Sequence, residues 1–440
     1  MKQLFILSFL ILGIPITRFP GISEHLEEIK LAVYLLFFLV WLSYKQLDQI
    51  KQLSKLPLTS FFIFFLLLAF FSLVPSTDKF WTLRFTLQHA VSFGYFYVFC
   101  DIFKNKKYLE IGLYLFVLSG FLCGSLAILQ YLIVTYNKFS QLGRFALPYI
   151  SRHTLVFESP TVFQMMGYRS VGPFYHPNLL GLYLSLILPI ALTLFFIAKN
   201  KYQKFFLMGC AVVVVMGIIC SRSRGSFVSL VASVVFISVF LWRKIPKVIF
   251  LACVVLLVMA GFFLWDKIIY YLRLENVLSF RDFIWEHSVR MVQENPVFGL
   301  GLGMFHEEYL YRYSFPSVGD FQEALGGIMI LGASELTKGF HAHNLFLNYA
   351  AELGLGGAVL MLVLYGIYFK EFIFFIRRRA AASLYDTVLI VGSSAVIFGN
   401  FIYSFFEAAT NFYNFSIALS FVFVCAVGIS LMVKYKSVDI

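Results

Sequence analysis

Charge is scarce in this sequence. Only 13% of its 440 residues are charged, about half of the roughly 25% found in soluble domains. Acids are scarcer than bases, 23 Asp and Glu against 35 Lys and Arg. With 60% of the chain hydrophobic, too little polar surface is left to face water, which excludes the two or three soluble domains that the length would otherwise suggest. Cysteine is sparse and unpatterned. Cys100, Cys123, Cys210, Cys220, Cys253 and Cys425 lie in or beside apolar runs with no CxxC spacing. That excludes a disulfide framework or a cysteine metal site and leaves small apolar packing residues. No small-x-small cleavage site follows the apolar run from Leu4 to Ile16, so the run is read as a retained first span. No internal repeat or low-complexity tract is present.

What is abundant is aromatic and aliphatic: 54 Phe and 25 Tyr suit lipid-facing helices and their interfaces. A bilayer core takes about 20 apolar residues per helix. On that measure the chain is an all-α polytopic membrane protein, one unit over 1–440. Twelve spans are expected, near 3–17, 29–44, 57–74, 80–100, 109–135, 178–198, 205–220, 225–242, 247–265, 344–369, 384–405 and 412–433.

The basic residues test this layout. With the N-terminus inside, every short inner connection is basic: Lys45, Lys51 and Lys55; Lys104, Lys106 and Lys107; Lys199, Lys201 and Lys204; Arg243, Lys244 and Lys247; Arg377, Arg378 and Arg379. That is the positive-inside pattern, with both termini cytoplasmic. The net charge of +12 is thereby a topology signal, and nucleic acid is not an expected partner. Two outer segments, 136–177 and 266–343, are too long to be plain connectors, so function is expected on the outer face. Within the second, Arg281 to Val292 has an amphipathic helical pattern that stops before Asn295-Pro296.

Three outer features carry chemistry. Ser221-Arg222-Ser223-Arg224-Gly225-Ser226 is a tight turn that places two Arg against the positive-inside bias. Guanidinium groups bind phosphate oxygens in bidentate fashion, although snorkelling to headgroups accounts for them about equally well. Arg281, alone, reads as a solvated helix face. The Gly299, Gly301, Gly303 run does not open a helix after a strand, so a dinucleotide loop is excluded. His341-Ala342-His343-Asn344 leads into the tenth span, where Asn344, Asn348 and Glu352 form a polar stripe that should face a cavity or neighbouring helices. Two His at i and i+2 do not share a helix face, so no metal site is expected. His343 at the head of the stripe could take a proton from a hydroxyl, although from this feature alone a histidine satisfied at the interface is the favoured reading. At the outer end of the fourth span, Arg84, Gln88 and His89 either line the same cavity or, the favoured reading, bond between helices.

These residues carry a resemblance. His343-Asn344, nine residues, then Gly354-x-x-Gly357 resembles the H[NSQ]-x9-GxxG motif of the O-antigen ligase family, which shares a superfamily with O-antigen polymerases and O-linked oligosaccharyltransferases. Ser223-Arg224-Gly225 resembles its SRG motif. Arg281-x3-Trp285 followed by Asn295-Pro296-x-x-Gly299-x-Gly301-x-Gly303-x-Phe305 is similar to its periplasmic-loop signature. Arg169-x-x-Gly172-x-Phe174-x-His176-Pro177-Asn178 is similar to the segment entering its middle spans. The matches keep the family's order over residues 169–357.

The resemblance implies a GT-C-like glycosyltransferase of the bacterial inner membrane. It would move glycan from undecaprenyl pyrophosphate to a lipid A-core acceptor on the periplasmic face, inverting and without metal or cofactor. Carried over, Arg224 and Arg281 bind the donor pyrophosphate, with Arg222 able to share that role. His343 engages the acceptor hydroxyl, as base or as orienting group. Asn344, Glu352, Arg169 and Arg84 are candidate supports, Glu352 to hold His343 or an Arg. The same donor site would serve a repeat-unit polymerase acting on a growing glycan, or a transferase with a protein acceptor. A lipid-glycan transporter is the reading from another class. Against it stand the absence of a two-half repeat and the concentration of polar residues at one face.

Overall fold

A backbone in lipid must satisfy each N–H within its own segment, and every regular element among the described residues is a helix. The structure is a computed structural model and describes residues 8, 10–15, 26–139, 169–174, 176–241, 281–309, 341–408 and 414–435. In chain order the longer helices are α1 (Leu26–Ser43), α2 (Leu47–Leu53), α3 (Thr59–Phe71), α4 (Lys79–Ile102), α5 (Lys106–Phe139), α6 (Pro177–Ile197), α7 (Lys201–Ser221), α8 (Arg224–Leu241), α9 (Arg281–Glu294), α10 (Leu345–Leu353), α11 (Leu355–Arg378), α12 (Leu384–Tyr403) and α13 (Phe415–Val433). Seven of the described helices, α5–α8 and α11–α13, are long and apolar enough to cross a membrane, with α3 a shorter apolar helix. The expected span at 247–265 lies outside the described residues, as do most of 3–17 and much of the outer segments 136–177 and 266–343.

The interior is built around α6 and α13, which are buried along almost their whole length. α6 packs against α5, α7, α8 and α12, and α13 packs against α4, α11 and α12. Lipid-like apolar surfaces give helices no solvent reason to associate, so small residues that let backbones approach do this work. At the α8–α12 crossing a Cβ on Gly399 would sit 2.5 Å from the Ser229 carbonyl and 3.0 Å from its hydroxyl.

The tenth span is not one helix. The expected run 344–369 divides into α10 and α11 at Gly354, whose φ is 74°. Loop backbone fills the break. Leu355 N–H donates to Pro296 O at 2.9 Å, Leu300 N–H to Ala351 O at 2.9 Å and Gly301 N–H to Glu352 O at 3.0 Å. A Cβ on Gly354 would collide with the Val297 carbonyl. Hydropathy does not register such a break, because the run is apolar on both sides of it. Gly354→Ala is expected to destabilise the fold by at least about 2 kcal/mol, combining a left-handed backbone with a backbone clash. A thermal melt of detergent-purified protein would read it.

By connectivity, the N-termini of α6, α8 and α10 and the C-termini of α7 and α12 gather at one end of the bundle. The basic connections Lys199–Lys201 and Arg377–Arg379 lie at the other.

Candidate functional site

α7 stops at Ser221 because Arg222 turns left-handed, with φ 49°. Ser223 follows, its Oγ accepting from the Ser226 hydroxyl at 2.7 Å, and Arg224 opens α8. The turn is fastened from two sides. Arg169 Nε donates to Ser221 O at 2.9 Å. A Cβ on Gly225 would lie 2.9 Å from the Tyr403 ring, so glycine lets that ring close over the turn. Tyr403 in turn donates its hydroxyl to Asn178 O at 3.3 Å.

Four residues past Tyr403 is Glu407, 2% exposed, around which the site is organised. Its Oε1 lies 2.9 Å from His343 Nδ1 and 3.1 Å from His341 Nε2. Its Oε2 accepts from Asn178 Nδ2 at 2.6 Å and lies 3.7 Å from Arg281 Nη2. Asn178 Oδ1 accepts from Arg169 Nη2 at 2.5 Å. A buried carboxylate is tolerated only when its lone pairs are taken up in this way. Burial pushes the Glu407 carboxyl upward, but His343, His341 and Arg281 together hold it well below the usual carboxylate range. Trp285, one helical turn along α9 from Arg281, donates its indole N–H to Ala342 O at 2.9 Å and so ties that helix to the histidine segment.

The ring nitrogens are not equivalent. His341 Nδ1 accepts the His343 backbone N–H at 3.2 Å, so its proton is on Nε2, which points at Glu407. His176 does the same at the start of α6: its Nδ1 accepts the Asn178 N–H at 3.1 Å and caps the helix. Burial lowers His341 to about 4 against the pull of Glu407. Both are neutral donors at neutral pH. His343 has the opposite arrangement. Nδ1 lies 2.9 Å from an ionised carboxylate oxygen, which favours the tautomer with the proton there, and Nε2 has no protein partner among the described residues. His343 also has a left-handed backbone, φ 47°; it and Arg222 are the two non-glycine residues with positive φ among those described. Such conformations cost about 1–3 kcal/mol and gather at functional sites.

The structure thus brings together His343, Arg281, Arg169 and, by the shared frame of Tyr403 and Ser221, the turn bearing Arg222 and Arg224. Other expected supports are engaged elsewhere. Asn344 caps α10, its Oδ1 accepting from Phe346 N and Leu347 N at 3.0 Å each. Asn348 accepts from Ala342 N at 3.0 Å. Glu352 accepts from Phe305 N at 3.2 Å; it braces the Gly299–Phe305 segment and does not hold His343 or an Arg. Asn348 and Glu352 therefore serve outer-segment backbone, while Asn344 serves its own helix. Arg84 pairs with Glu28 at 2.5 Å and stacks over Trp81. Gln88 is buried, and His89 bonds to Phe85 O and the Tyr349 hydroxyl, so the helix-to-helix reading holds for His89.

Glu407 and Asn178 were not singled out from sequence. The available signal was that Glu407 is the sole charged residue between Tyr403 and Phe415, in a connector with no reason to carry one. His341, His343 and Glu407 also place ligand atoms within 4.8 Å of one another, a spacing that a divalent ion could bridge. Arg281 beside Oε2, and Arg169 behind Asn178, put positive charge next to that position, and the three groups are already joined to each other. The arrangement favours an anion beside the arginines. Residues 209–362 match a family model described as O-Antigen ligase. The matched stretch contains Arg222, Arg224, Arg281, His343 and Glu352 and leaves out Arg84, Arg169, His176 and Glu407. No curated protein matches the chain.

Proposed function

Since this chain is a member of the O-antigen ligase and polymerase superfamily through residues 209–362, we propose that it is a membrane glycosyltransferase of the ligase type. It moves glycan from undecaprenyl pyrophosphate to a lipid A-core acceptor, on the periplasmic face of the bacterial inner membrane, with both termini cytoplasmic. The observation that carries this reading is one carboxylate, Glu407, holding His343 and Arg281 on its two oxygens beside the Ser223-Arg224-Gly225 turn.

The acceptor hydroxyl attacks the anomeric carbon in line. A new C–O bond forms as the bond to the pyrophosphate oxygen breaks, which inverts the centre. Undecaprenyl pyrophosphate departs with the electron pair, and Arg224 and Arg281 stabilise its developing charge as a preorganised site should. The hydroxyl proton passes to Nε2 of His343, the nitrogen left open by the Glu407 contact. No step requires a metal ion.

A polymerase would use the same donor half with a growing glycan as acceptor. Among the described residues, the broken α10–α11 helix is the feature that suits a transporter. Its carbonyl ends are occupied by loop amides, which disfavours an ion site there.

Reconstituted protein given undecaprenyl-pyrophosphate glycan, with and without lipid A-core, in parallel with chelator, tests this. Product confined to the lipid A-core reactions and unchanged by chelator is expected. A ladder of lengthened lipid-linked glycan would make it a polymerase, and absence of any product would sink the transferase reading.

A further inference from the structure

The functional reading above gives no role to His176, although it stands at the edge of the same cluster. Its ring is oriented by its own chain, because Nδ1 accepts the Asn178 N–H and the proton must sit on Nε2. Asn178, two residues on, is the residue that bonds both Glu407 and Arg169. The charged and titratable groups facing His176 are Arg169, Glu407, His341 and His343. His341 has the same tautomer but spends its N–H on Glu407. Nε2–H of His176 meets no partner among the described residues, and the side chain is only part-buried.

We propose that His176 donates its Nε2–H to an oxygen of the donor's pyrophosphate, as a neutral contact beside the arginines; this rests on the donor reading given above. Arg169 and Arg281 at this edge select an anion. An uncharged donor adds a directed hydrogen bond there without a further like charge next to Arg169. Burial and the neighbouring Arg169 lower His176 to about 3, against Glu407, so the ring stays a neutral donor throughout the range in which the protein would work. A plain helix cap would need only the Nδ1 acceptor, which Asn, Ser or Asp supplies as well.

That difference provides the test. In His176→Asn the amide oxygen takes the place of Nδ1, which keeps the cap and removes the distal donor. In His176→Gln the amide nitrogen approximates Nε2, which keeps the donor and loses the cap. The full chain in nanodiscs is titrated with sugar-free undecaprenyl pyrophosphate, and affinity and melting temperature are both recorded. His176→Asn is expected to melt as wild type and bind roughly tenfold more weakly, the scale of one hydrogen bond to a charged group. His176→Gln is expected to melt lower and bind nearly as wild type. The affinity ratio of wild type to His176→Asn should stay flat between pH 6 and 8, whereas an imidazolium contact would fade as pH rises.

Wild-type affinity in His176→Asn, or equal weakening in both variants, would overturn the proposal. If Arg224→Ala and Arg281→Ala still weakened binding in that case, the donor reading would survive without His176. Failure of wild type itself to bind the probe would remove both.

Discussion

Replacing His343 with asparagine is expected to reduce glycan transfer by about 10²–10⁴-fold, the usual span for loss of a general acid or base, with donor affinity little changed. Asparagine is the informative substitution because it tolerates the left-handed backbone that His343 adopts, whereas alanine there would add strain to the loss of chemistry. Among the described residues no neighbouring histidine of the cluster can stand in for the missing imidazole. His341 and His176 each spend Nδ1 on a backbone N–H, so neither offers an accepting nitrogen to a substrate. Single-turnover kinetics with pre-bound donor would separate this from a binding defect. Transfer within a factor of about two of wild type in folded His343→Asn would remove the histidine from the reaction; the tenfold-per-1.36-kcal/mol scale makes so small a loss negligible.

Glu407→Ala is expected to be the most damaging single change to both stability and activity. It leaves Arg281, Asn178 and two histidines facing an empty position, and breaking a buried ion pair in this way costs about 3–5 kcal/mol. It also frees His343 to rotate and to exchange tautomers, so transfer should fall even in the molecules that remain folded. Glu407→Gln separates the two effects. Its amide oxygen can accept from both histidines, which share Oε1, but the amide N–H then faces the donors of Asn178 and Arg281 on the other side, so activity should fall further than stability does. The pH dependence follows from the sign of the shift. A carboxyl held below its usual range contributes stability that is fully present above about pH 4.3, the ordinary glutamate value. That contribution is lost as pH falls through the lowered folded value. Unfolding of wild type and Glu407→Ala should therefore differ most near neutrality and converge in strong acid. Equal stability of the two proteins at pH 7 would contradict the central place given to this carboxylate.

Much of the fold is legible in hydropathy. The expected spans 178–198, 205–220, 225–242, 384–405 and 412–433 each meet a helix whose ends lie within a few residues. Hydropathy reports how long a segment is apolar, and that quantity fixes a membrane helix. It is blind to the turn at Gly354, where the sequence shows only one more glycine in an apolar run. The site divides similarly. Arg281 and His343 are conspicuous because charge and imidazole are rare in so apolar a chain and sit at family spacings. Glu407 belongs to no spaced pattern, and Asn178 stands in one, at the end of the Arg169–Asn178 segment, with nothing there to tell its role. They matter because α12 and α6 end at the same level beside α8, which is a fact about packing. Asn344, Asn348 and Glu352 mislead for the converse reason. Their i, i+4, i+8 spacing is real, but Asn344 caps its own helix, and outer-segment backbone, with its own amides to satisfy, takes up Asn348 and Glu352.

The burial of α13 on nearly every side has a consequence for how the protein is made. Residues 415–433 leave the ribosome after α4, α11 and α12, the helices they separate from lipid in the finished bundle. Those helices enter the bilayer first and keep acyl chains against the surfaces that α13 will later cover. When α13 arrives, membrane insertion must be followed by a lateral exchange of lipid for helix, the second of the two stages by which spans assemble. The serines and Gly428 along α13 keep its profile slim enough to slide into that slot. The central helix of the described bundle is thus synthesised after the neighbours it packs against.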